Sequence, residues 1–68
     1  MDSIEFHELL SANPNKFCRV ILKNGKEYNG INAGIVHDGY GCLLLKLENK
    51  GGNHTVAHIE VQSIDFME

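Results

Sequence analysis

Residues 18 to 30, CRVILKNGKEYNG, constrain the fold more than any other stretch. Cys18, Val20 and Leu22 alternate with Arg19, Ile21 and Lys23, the period-two pattern of a half-buried strand. Asn24-Gly25 supplies a pair that tolerates positive φ, the commonest two-residue means of reversing an antiparallel strand. The chain then resumes as Lys26-Glu27-Tyr28-Asn29 and meets Gly30. A glycine within a strand marks a sharp bend or a close backbone approach, where a Cβ would collide. Strand, tight turn and bent strand together predict the opening corner of a small, highly curved barrel.

At 68 residues the chain makes one domain, residues 1–68, near the lower limit for a self-sufficient core. A domain this small needs a disulfide, a metal or a partner to complete it. Cys18 and Cys42 allow at most one bridge, and both sit in apolar strand-like runs, so buried free thiols are expected. No signal peptide opens the sequence and no apolar run reaches membrane-spanning length. A soluble protein of a reducing, cytoplasmic compartment is the corresponding expectation. Six basic residues against nine acidic ones give a net charge of −3, which argues against coating nucleic acid by overall charge. The basic span Lys16 to Lys26 reads first as a solvated strand face, with a nucleic-acid-facing patch as the lesser reading.

Residues 2–11 predict a short helix: Asp2 caps it, Glu5 lies three positions on, and Phe6, Leu9 and Leu10 form an apolar stripe. Ile4 lies less cleanly on that stripe. Asn13-Pro14-Asn15 ends the helix, because proline lacks a donor and displaces the residue before it from the helical region. Strands are expected at about 16–23, 27–36, 42–47, 54–59 and 63–67. Turn clusters fall at His37 to Gly41 and at Glu48 to Asn53. One helix followed by five strands, with turns every eight to ten residues, points to a mainly β, small antiparallel barrel. The apolar tail residues Ile64, Phe66 and Met67 predict that the terminal strands pair with a neighbouring copy.

The short helix and the five strands opened by VILKNGKEYNG resemble the Sm-like family, which includes the Sm, LSm and Hfq proteins. The match runs from about Ser3 to Met67, and Leu22-Lys23-Asn24-Gly25 followed at Gly30 is its most specific part. The resemblance implies a strongly bent five-stranded SH3-like barrel. It also implies a homo-oligomeric ring, in which the edge strand at 54–59 of one subunit pairs with that at 63–67 of the next. The subunit count does not follow from the sequence. Family members bind single-stranded RNA at the pore, which makes His37 and Tyr40 the expected base-stacking residues and His58 a hydrogen-bonding partner. Three positions depart from the family pattern, one of them Ala57-His58, which stands where the Hfq version carries Lys-His. The segment His37 to Cys42 lacks the base-reading asparagine, and Glu60 stands where the family carries arginine. A carboxylate there repels phosphate. Two other readings therefore stand beside the RNA-binding ring: a protein-interaction ring without RNA binding, and a monomeric peptide-binding adaptor.

No metal, cofactor or catalytic site is expected. His54 and His58 are four apart, a separation of about 13 Å on a strand, too wide for one ion. Cys42 and His37 suggest a nucleophile and base, but a thiol opening an apolar strand is ordinarily inert. Asp38 and Glu60 have no substrate cue beside them, and Gly39-x-Gly41 is too short for a phosphate cradle. The expected role is that of a scaffold or chaperone, not an enzyme.

Overall fold

The computed structural model describes residues 1–67. Helix α1 spans Ser3–Ser11, and five strands follow: β1 Phe17–Leu22, β2 Glu27–His37, β3 Leu43–Asn49, β4 Gly52–Ala57 and β5 Val61–Met67. A 3-10 turn, His58–Glu60, joins β4 to β5. All strand pairs are antiparallel, in the order β4-β3-β2-β1-β5. The mainly β architecture is thus the expected one, as a bent sheet that stays open: β4 pairs only with β3 and β5 only with β1 among the described residues.

β1 buries Cys18, Val20 and Leu22, as its alternation predicts, and β3 adds Leu43, Leu45 and Leu47 to the same core. Val56, Val61 and Ile64 complete the strand contribution. α1 lays Phe6 and Leu10 into this core, while Ile4 points to solvent. Asp2 caps the helix, its carboxylate accepting from the Ile4 and Glu5 N–H groups at 3.1 and 3.3 Å.

β2 carries the bend. Its first half pairs with β1 and its second half with β3, with a bulge between Asn32 and Ile35. Gly34, at φ +110, supplies the left-handed residue there. Gly30 does the other job a strand glycine can do. A Cβ at Gly30 would lie 2.9 Å from the Glu48 carbonyl oxygen and 3.2 Å from Leu47 Cβ, so the sheet folds over on itself at that point.

Four local expectations are corrected. The β1–β2 hairpin is a three-residue loop, Lys23 to Gly25. Leu22 N–H donates to the Lys26 oxygen at 2.8 Å, and Gly25 N–H returns to the Leu22 oxygen at 2.9 Å. Only Gly25 takes positive φ, because the Asn24 carboxamide instead accepts from Lys26 N–H at 3.0 Å and holds the loop in the longer form. Residues 54–59 are not one strand. β4 starts at Gly52 and stops at Ala57, and His58 and Ile59 turn away in the 3-10 segment, which aims the chain into β5. β5 begins at Val61, two residues before the expected 63, where a register shift opposite Leu22 lets Val61 reach the core. Cys42 precedes β3 and is half-buried, whereas Cys18 is fully buried; both are free thiols.

Asn32 holds the helix to the sheet. Its side chain is 3% exposed and fully bonded: Nδ2 donates to the Leu10 and Asn13 carbonyls at 3.0 and 2.9 Å, and Oδ1 accepts from Gly34 N–H at 3.0 Å. A buried amide with each of these bonds made fixes one arrangement of the elements it touches.

Candidate nucleic-acid interface

The turn between β2 and β3 is built around Asp38. Its carboxylate accepts from Tyr40 N–H at 2.7 Å and from Cys42 N–H at 3.1 Å, and its own N–H donates to the Cys42 carbonyl at 3.2 Å. Gly39 and Gly41, at φ +89 and +90, make the reversals that let one short side chain close the loop. The product is a defined turn with Tyr40 at its tip, 94% exposed. An aromatic ring that gains nothing from burial is available as a stacking surface.

His37 is the last residue of β2 and exposed, opposite Leu43 in the ladder. His58 comes from the 3-10 turn, 15 residues from Leu43 in sequence, yet its Nδ1 accepts from Leu43 N–H at 3.1 Å. Because that nitrogen accepts, the ring proton of the neutral form resides on Nε2. The imidazole also packs against Phe6, at 5.9 Å between centroids and 54° between planes. The structure therefore brings His58 to the base of the turn that carries Tyr40, with His37 at the turn's other shoulder. Met1 reinforces the arrangement: its α-ammonium donates to the His58 and Val61 carbonyls at 3.0 and 2.7 Å.

The charge around this rim is mixed, since Lys23 and Lys26 line one groove with Glu60. Asp38 belongs to the turn and Glu60 is exposed in the 3-10 segment, where its carbonyl accepts from Lys23 N–H at 2.8 Å. Arg19 lies on the outward face of β1, paired with Asp65 of β5 at 3.2 Å. With both side chains largely in water, that ion pair contributes little to stability. The basic span is thus split, with Arg19 on the sheet and Lys23 in the hairpin.

Among the described residues no three His, Cys, Asp or Glu side chains are grouped as a metal site would need. His54 packs against Tyr28, 5.4 Å between ring centroids, and His58 against Phe6. The two cysteines differ. Burial pushes the Cys18 thiol from 9.0 up to about 11. Cys42 lies with its sulfur 3.8 Å from His58 Nδ1. The histidine near Cys42 is therefore His58, although sequence proximity suggests His37.

The sequence reading of the site missed Asp38 as its organiser. The Asp-Gly-x-Gly pattern carried the signal, since a short acceptor followed by two residues suited to positive φ is a turn that closes on its own carboxylate.

No protein-family model, curated protein or solved structure matches this chain. Fold and site define its class: a helix-capped, open five-stranded antiparallel β protein with an aromatic-tipped turn beside a histidine-bearing 3-10 segment. No helix of the described residues is long and apolar enough to cross a membrane.

Proposed function

We propose that this protein is an Sm-like ring subunit that binds single-stranded RNA as a scaffold or chaperone, without catalysing a reaction. The observation that carries the reading is the Asp38-closed turn, which presents Tyr40 to solvent while Cys42 and Leu43 at its base meet His58. In this reading Tyr40 stacks on a base, His37 offers a second flat surface, and His58 Nε2–H donates to a base edge. The free edges of β4 and β5 support assembly, since an unpaired strand edge invites another strand. Successive copies joined β4 to β5 would form a head-to-tail ring and place one Tyr40 turn per subunit around it. Residues 54–57 and 61–67 carry that contact, with His58 and Ile59 left to the rim.

A second reading is favoured by charge: the chain carries a net charge of −3, Asp38 closes the Tyr40 turn, and Glu60 offsets the neighbouring Lys23 and Lys26. That balance suits a ring that docks a protein partner rather than a polyanion. Light scattering separates ring from monomer. Fluorescence anisotropy with labelled oligo-U and oligo-A at low and high salt then separates the two rings. Binding that weakens as salt rises supports the RNA reading, and no binding at low salt transfers the assignment to the protein-docking ring. Glu60→Arg strengthens RNA binding if residue 60 faces the nucleic acid.

A further inference from the structure

Away from the rim, a cavity of about 420 Å³ opens between the second half of α1 and the bulge of β2. Leu10, Pro14 and Ile35 give it apolar walls, and His7, Ser11 and Asn15 stand at its polar margin. The bulge forms part of the lining as Ala33 and Gly34, neither of which has a partner in the β2–β3 ladder. Gly34 N–H is taken up by the Asn32 carboxamide, so the groups left outside the ladder pairing are those of Ala33 and the Gly34 carbonyl.

We propose that this cavity is a second binding site, which takes a single nucleobase with its sugar. Three features of the lining select that chemistry. None of the lining residues is Lys, Arg, Asp or Glu, so the site has no counter-charge for a phosphate or carboxylate and suits a neutral group. Its apolar walls are mixed with hydroxyl, imidazole, carboxamide and main-chain groups, which matches a flat ring whose faces are apolar and whose edge both donates and accepts. The space over Gly34 is open: a Cβ built there would meet nothing within 4 Å, so a planar ligand can approach the main chain.

The site is also preformed. Asn32 ties the Leu10 and Asn13 carbonyls on one wall to the Gly34 N–H on the other, and Asn15 N–H donates to the Asn32 carbonyl at 3.1 Å. Walls held by four hydrogen bonds lose little freedom when a ligand enters. The cavity shares no residue with His37, Tyr40 and His58, so it stands or falls apart from the rim.

The test is a titration of the ¹⁵N-labelled full chain with adenosine and with uridine in the millimolar range, read by amide chemical shifts. Saturable shifts are expected at Ser11, Asn15, Ala33 and Gly34 with at least one nucleoside. They should persist in Tyr40→Ala and weaken roughly tenfold in the double variant His7→Ala/Ser11→Ala, whose spectrum reports its own fold. Ribose 5-phosphate should leave these amides unmoved. Shifts confined to residues 38–42 and 58 overturn the cavity site and leave the rim reading in place. No shifts with either nucleoside, equal shifts with ribose 5-phosphate, or unchanged affinity in the folded double variant overturn it too.

Discussion

Gly30 and Tyr40 mark two regions of the same sheet that are specified in opposite ways. At Gly30 the chain is fixed by what surrounds it: the Glu48 carbonyl comes so close that only hydrogen fits on the α-carbon. At Tyr40 nothing surrounds the side chain, and the conformation is set by hydrogen bonds made within five residues of sequence. Substitution at the first should change stability, and substitution at the second should change only what the protein can bind. The Asp38 bonds reverse the chain between β2 and β3 and leave the Tyr40 ring free of any packing duty.

The largest effects are expected on the packed side. Phe6→Ala removes a fully buried ring that joins α1 to the core and to His58, and should cost about 3–5 kcal/mol by urea denaturation. Gly30→Ala should cost about 2 kcal/mol, because a main-chain carbonyl at 2.9 Å cannot rotate aside as a side chain would. A neutral Gly30→Ala would mean that the close approach does not shape the sheet.

Cys18 gives a smaller, pH-dependent effect. Its thiol is neutral up to about 11 when folded but ionises near 9.0 when exposed, so above 9.0 the unfolded state releases a proton that the folded state keeps. Stability contributed by this group therefore falls as pH rises from 9.0 towards 11, by about 1 kcal/mol over the first unit. Denaturation of wild type and Cys18→Ala across that window isolates the thiol's contribution, and parallel curves would refute it. Tyr40→Ala should sit at the bottom of the scale for stability, within about 0.5 kcal/mol of wild type. In RNA binding it should lose about 1–3 kcal/mol, the worth of one base–aromatic stack. A large stability loss at Tyr40 would erase the contrast with Gly30.

Much of the packed region was legible in the sequence because burial writes itself as periodicity. The alternation of Cys18, Val20 and Leu22 and the helical spacing of Phe6 and Leu10 each place a side chain without reference to the rest of the fold. Gly30 was legible as a close approach, although the left-handed bend belongs to Gly34, which no residue pattern distinguishes from its neighbours. The rim was legible only in part. Tyr40 lies three residues beyond His37, the end of β2, so sequence alone links them, whereas the bond from Leu43 to His58 spans 15 residues and depends on β4 ending at Ala57. Asn32 was not legible at all, since an asparagine in a strand reads as surface until the helix end folds over it.

The most direct test of the central claim is anisotropy of a labelled oligo-U and a labelled oligo-A, each titrated at low salt with wild-type protein and with Tyr40→Ala. At least one strand should bind the wild type, with a roughly tenfold or greater loss in the variant at unchanged fold. Wild-type affinity retained by a folded Tyr40→Ala, or no binding by either protein, would contradict that claim.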